Sequence, residues 1–174
     1  MENYVATPQL GFMEAVKLAC SRLFNLNGRS RRSEFWWFMV AFFICSYILN
    51  AILSIFLTYL PATIASCLIM LFAVAVTARR LQDGGHSKWW VILSYIALTV
   101  YNIYVAQSDL MFEMMSVNPN PDHIIAELSN PVMALLSLAN MVLSVPIFIF
   151  CLIDGKREPN QYGESPKYKL QNEI

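Results

Sequence analysis

No charged residue occurs anywhere in residues 35–78, 89–108 or 128–153. Runs of that length constrain the fold more than any motif does. A bilayer core about 30 Å thick is crossed by roughly 20 apolar residues of helix, and the first run is long enough to cross twice. Pro61 divides it, because proline is tolerated in the first turn of a helix, where its missing N–H costs nothing. The run therefore reads as a hairpin with spans at 35–60 and 62–78. Two further spans follow at 89–106 and 132–153. The expected fold is all-α and integral to the membrane, with four transmembrane helices in two hairpins. They are flanked by an N-terminal segment 1–34, an external segment 107–131 and a tail 154–174. Composition agrees: charged residues make up 14% of the chain and apolar residues 57%, against about 25% and 45–50% in soluble domains.

The placement of the basic residues sets the expected orientation. Lys17, Arg22, Arg29, Arg31 and Arg32 precede the first span. Arg79, Arg80 and Lys88 lie between the second and third, and Lys156, Arg157, Lys167 and Lys169 follow the fourth. The turn at Pro61 has none, nor has segment 107–131, which carries Asp109, Glu113, Asp122 and Glu127. Cytoplasmic loops hold the excess of lysine and arginine, so both termini are expected in the cytoplasm. The first 34 residues are charged and lack an isolated apolar core, so the first span is expected to stay as an anchor rather than be cleaved. Twelve basic residues balance twelve acidic ones, which implies no nucleic-acid partner. The four cysteines are scattered without a CxxC spacing, and neither a disulfide framework nor a metal site is expected.

Before the first span, Phe12, Met13, Val16, Ala19, Cys20 and Leu23 recur at helical spacing. Thr7-Pro8 reads as an N-cap with proline at N1. An amphipathic helix at about 9–24 is expected, lying along the inner membrane face or packed on the end of the bundle. In the external segment, Asn-Pro-Asn-Pro-Asp at 118–122 signals a turn, with Asp122 capping a short helix 123–128. Ser129-Asn130-Pro131 then opens the last span, and Pro146 inside it is expected to kink the helix.

No ionisable side chain lies deep in a span, which argues against an ion-coupled carrier or proton relay. Three asparagines do, Asn50, Asn102 and Asn140, each 13–16 residues from the cytoplasmic end of its helix. They are expected to face the bundle interior as a polar layer, reached by Ser66 or Thr63. Such contacts are usually packing glue, worth about 0.6 kcal/mol each.

The stretch ARRLQDGGHSKWW, residues 78–90, interrupts the apolar runs. Arg79 and Arg80 complement the dipole at a helix C-terminus, and Asp83 is within reach of either. Gly84-Gly85 turns the chain, and Lys88 precedes interfacial Trp89-Trp90. RSRRSEFWW at 29–37 repeats the design of a basic cluster leading into paired tryptophans. Arg29, Arg31, Arg32, Arg79, Arg80, Asp83 and Lys88 together build a face suited to anionic lipid headgroups or a membrane-protein partner. No catalytic motif is present, and neither a cofactor nor an enzymatic activity is expected.

Three stretches on this side resemble a known family, the bacterial inner-membrane proteins grouped as domain of unknown function 805. They are Gly28 to Trp36, Arg79 to Trp90, and Gly155-Lys156 through Asn160-Gln161-Tyr162-Gly163 with Pro166 following. Gln82 stands where the family commonly has histidine, and Lys88 where glycine is common, so the resemblance assigns no role to a histidine here. It implies a multi-span protein of the bacterial inner membrane whose function is not established. The expectation is a non-enzymatic membrane protein whose basic cytoplasmic face binds a partner or anionic lipid. A small oligomeric transporter or channel subunit is the alternative.

Overall fold

A computed structural model describes residues 4–108 and 110–171, so Asp109 of the acidic segment lies outside the described residues. The elements run β1 (Tyr4–Ala6), α1 (Phe12–Cys20), α2 (Arg32–Phe56), α3 (Tyr59–Asp83), α4 (Trp89–Gln107), α5 (Leu110–Met115), α6 (Pro121–Leu128), α7 (Pro131–Leu152) and β2 (Tyr168–Leu170). Four of them, α2, α3, α4 and α7, are long and apolar enough to cross a membrane. The fold is the expected one, helical with four candidate spans.

Two boundaries differ from those expected. The first hairpin turns at Leu57-Thr58, both extended, before Pro61 rather than at it, and Pro61, the third residue of α3, falls in the helix's first turn as expected. The Ala62 N–H closes that turn on the Thr58 carbonyl at 3.1 Å. At its other end α3 runs past residue 78 to Asp83, because interior partners receive the polar side chains of its last turn. Helix α4 ends at Gln107, within one residue of the span expected, where Ser108 turns extended, and α5 is a separate short helix.

Helix α6 is capped by Asn120, whose side chain accepts the Asp122 N–H at 3.0 Å with Pro121 in the first turn. Asp122 is therefore inside the helix rather than its cap. Asn130 does the same for α7, accepting the Val132 N–H at 3.0 Å. Proline supplies a preset φ at each start and needs no N–H there. Helix α7 continues through Pro146 to Leu152.

Helix α3 packs against α2, α4 and α7, while α4 and α7 lie along each other. The buried cluster Phe35, Phe38, Phe42, Val76, Leu81, Val91 and Ile147 occupies the end near the termini. A smaller one around Val105, Leu110 and Met133 closes the other end. Tyr47, Phe56, Leu135 and Phe148 are exposed around the outside, as suits a lipid-facing surface.

Helix α1 packs on α2 through Ala15 and Ala19, both fully buried, and through Phe12 against Trp37 at 5.6 Å. Its other face leaves Met13 and Leu18 exposed. The helix is shorter than expected and starts after Gly11. Thr7 cannot cap it, because its N–H and hydroxyl both donate to the Lys167 carbonyl, at 2.8 and 3.0 Å. Those bonds extend a two-stranded antiparallel ladder pairing Tyr4 with Leu170 and Ala6 with Tyr168. The ladder ties the two ends of the chain together, and strands of three residues leave no readable alternation in sequence.

Candidate functional site

Most polar residues inside the protein cluster at the end of the bundle that carries the termini. The solvent-facing placement expected for five of the seven basic-face residues is corrected. Arg29, Arg31, Arg79, Arg80 and Asp83 are only 4, 6, 0, 1 and 2% exposed. The physical reason is the extra turn of α3, which carries Arg79 to Asp83 under the linker 21–31 and the tail that follows α7.

Asp83 is held between two guanidiniums. Arg29 Nε donates to its Oδ1 at 2.8 Å and Arg80 Nη1 to its Oδ2 at 2.6 Å. The remaining Arg29 donors go to backbone: Nη1 to the carbonyls of Glu158 and Gly163 at 3.0 and 3.1 Å, Nη2 to those of Lys156 and, at 3.5 Å, Asp83. All five N–H groups of Arg29 are therefore engaged. Arg80 also reaches the Cys151 carbonyl at 3.3 Å and the Ile153 carbonyl. These are orphan acceptors at the negative end of the α7 dipole, so a cation is stabilising there.

A second half centres on Glu34, in the first turn of α2. Its carboxylate accepts from Arg22 at 2.8 and 2.9 Å and from the Ser30 hydroxyl at 3.0 Å. Arg79 Nη2 lies 3.7 Å from it. Ser30 joins the halves, accepting from Arg79 Nε at 3.1 Å through its hydroxyl and from Arg80 Nη1 at 3.4 Å through its carbonyl. Arg79 also ties down the linker by donating to the carbonyls of Arg22 and Asn25.

Four arginines thus face two carboxylates, and main-chain carbonyls neutralise the rest. Removing one partner from a buried ion pair costs about 3–5 kcal/mol, because the other charge is left unpaired.

The tail follows this surface closely. The Lys156 N–H donates to the Asp83 carbonyl at 3.1 Å, and the Asn160 amide to the Gln82 carbonyl at 2.9 Å. Gly155 is required by contact: a Cβ there would lie 1.8 Å from Asp83 Oδ2. Gly163, at φ 121°, closes the turn from Asn160 and presents its carbonyl to Arg29. The Gln82 side chain is fully buried, and neither amide atom has a hydrogen-bond partner among the described residues.

Of the expected basic face, Arg32 and Lys88 remain at the surface. Arg32 is 47% exposed and lies 3.9 Å from Asp154, and Lys88 donates to Asn27 at 2.7 Å. Asp154 is bound more tightly by Lys167, at 2.6 Å. That hydrogen bond holds the Asp154 carboxyl below its ordinary range and the Lys167 ammonium above its own. His86 stacks on Phe150, with ring centroids 3.9 Å apart.

The asparagines are all half-buried. Asn50 accepts from Ser66 across the first hairpin, and Asn140 accepts from Ser144, whose hydroxyl is 3.4 Å from that of Ser94. Among the described residues, no hydrogen bond joins two of the three asparagines to each other.

Sequence reasoning missed the roles of Arg22, Ser30, Glu34, Gly155 and Gly163. One acid in RSRRSE and a glycine just after the last span were the available signals. The stretches beginning at Gly28, Arg79 and Gly155, far apart in the chain, meet at this one node. The sequence model of a family described as protein of unknown function (DUF805) matches residues 23–164, an interval that covers the node except for Arg22, one residue before its start. No curated protein and no solved structure matches the chain.

Proposed function

The chain belongs to the DUF805 family, and from that premise we propose that it is a non-enzymatic, multi-pass protein of the bacterial inner membrane that gathers anionic lipid at its basic end. Both termini are assigned to the cytoplasm on the positive-inside rule. The carrying observation is charge separation along the bundle axis. All twelve basic residues but only eight of the twelve acidic ones belong to the segments at one end, against four acids and no base at the other.

The buried node gives that end its shape rather than its binding surface. It clamps linker, α2, α3, α7 and tail into one platform, from which Lys17, Arg32, Lys156 and Arg157 project into solvent. Polybasic surfaces beside a bilayer gain about 1 kcal/mol per basic residue from anionic lipid.

The test is lipid mass spectrometry on the protein extracted in native nanodiscs. Anionic lipid enriched over its share of the source membrane is expected. Retention in proportion to the bulk lipid overturns the reading. Trypsin cleavage after Arg157 in inside-out vesicles but not in right-side-out cells is expected for the assigned orientation, and the reverse pattern overturns it.

A further inference from the structure

A cleft of about 340 Å³ opens beside the start of α2, lined by Arg31, Arg32, Ser33, Trp36, Asp154 and Lys167. Three cations face one carboxylate, which Lys167 already engages at 2.6 Å. Arg31 is 6% exposed, and among the described residues its guanidinium donates to the Thr7 hydroxyl and carbonyl alone, at 3.2 and 3.4 Å. Among the described residues no carboxylate lies within ion-pair distance of it. A buried guanidinium cannot shed its proton to escape this, so an anion from outside is its natural complement. Ser33 lines the cleft, and its hydroxyl has no hydrogen-bond partner among the described residues, which leaves a neutral donor there. The backbone N–H groups of the first turn of α2 have no side-chain cap and add positive potential.

The level of the cleft selects the kind of anion. Trp36 and Trp37 mark the height where aromatic side chains meet headgroups. Below them α2 presents Trp37, Val40, Ile44 and Ile48, all exposed, at the spacing of one helix face. A ligand with a phosphate in the cleft would lay its chains along that track.

We propose that this cleft binds the phosphate of an anionic glycerophospholipid, with Arg31 and Arg32 as its cationic contacts and Ser33 as a neutral donor. The assignment rests on the lipid-gathering reading above and adds a place to it. Asp154 sets the affinity: it competes with the phosphate for Arg32 and Lys167.

The experiment reconstitutes the full chain in nanodiscs of equal phosphatidylglycerol and phosphatidylcholine and measures which lipids stay bound. Arg32→Gln is compared with Lys169→Gln, an equal loss of charge at an exposed tail position outside the cleft. Wild type retaining phosphatidylglycerol, Arg32→Gln weakening it about tenfold and Lys169→Gln leaving it within about twofold is the expected result. Asp154→Asn, which removes the cleft's carboxylate charge, is expected to strengthen retention several-fold. It gives an independent readout in the opposite direction if Arg32→Gln fails to fold.

Equal weakening by Arg32→Gln and Lys169→Gln overturns the cleft but leaves the lipid-gathering reading standing. No preference for phosphatidylglycerol in wild type overturns both. Inorganic phosphate bound by the protein in neutral detergent, lost in Arg32→Gln and unable to displace phosphatidylglycerol, would make this a site for soluble phosphate esters and overturn the lipid assignment.

Discussion

Replacing Gly155 by alanine tests the node most directly, because the perturbation is one methyl group at a known place. That carbon would sit 1.8, 2.3 and 2.7 Å from Oδ2, Cγ and Oδ1 of Asp83. The carboxylate must retreat by about 1.6 Å to restore the 3.4 Å of ordinary contact, and both of its oxygens are committed, at 2.6 Å to Arg80 and 2.8 Å to Arg29. A shift of that size breaks at least one of these bonds. The tail cannot yield instead without lengthening the Lys156 N–H bond to the Asp83 carbonyl. The expected cost is therefore that of opening a buried pair, about 3 kcal/mol or more.

The Lys156 amide reads this locally by hydrogen exchange in micelles, and its protection should fall by about a hundredfold. In an Asp83→Ala background the clash is gone, so Gly155→Ala should there cost less than about 0.5 kcal/mol, and the double-mutant cycle exposes the coupling. Protection in Gly155→Ala within threefold of wild type, or equal costs in both backgrounds, would refute the reasoning.

Arg29→Lys keeps the charge but replaces five planar donors by three on a flexible stem. It should cost about 2–3 kcal/mol and speed tryptic cleavage of the tail, and an unchanged rate would contradict the geometry. Gln82→Met removes an amide whose polar atoms have no partner, so unfolding in micelles should show unchanged or higher stability, by up to about 2 kcal/mol. A loss above about 1 kcal/mol would show that the amide is satisfied.

The Asp154–Lys167 pair gives the tail a pH dependence. The lowered Asp154 pKa means that its contribution is complete above the ordinary aspartate range and is lost as pH falls through the lowered value. The raised Lys167 pKa means that its contribution is lost only as pH rises through a value above the ordinary lysine range. Proteolytic protection of the tail should accordingly be flat near neutrality and drop in acid, and Asp154→Asn should remove the acid limb. An acid limb of wild-type size in Asp154→Asn would assign that limb to another carboxylate.

Charge placement and run length determined the spans in advance, since a bilayer admits only helices of a minimum apolar length. Asn130-Pro131 announced the start of α7 and Trp89 that of α4, because caps and interfacial anchors act within a few residues of chain. The turn at Leu57-Thr58 was misplaced for a related reason. Proline is compatible with several positions in a first turn, and Pro61 marks the neighbourhood of that turn without choosing the residue.

The node was legible only as an island of charge. Read locally, Arg79 and Arg80 are a helix stop and a membrane anchor, and nothing within a few residues says otherwise. Their burial depends on Glu34 and Ser30, some fifty residues earlier, and on carbonyls at the end of α7, more than seventy later. Sequence by itself determined that these residues stay out of the apolar spans, since hydration energy forbids bare charge in lipid. Tertiary structure decided that they face inward, because only the folded linker, the end of α7 and the tail together bring enough acceptors to replace the water four guanidiniums give up.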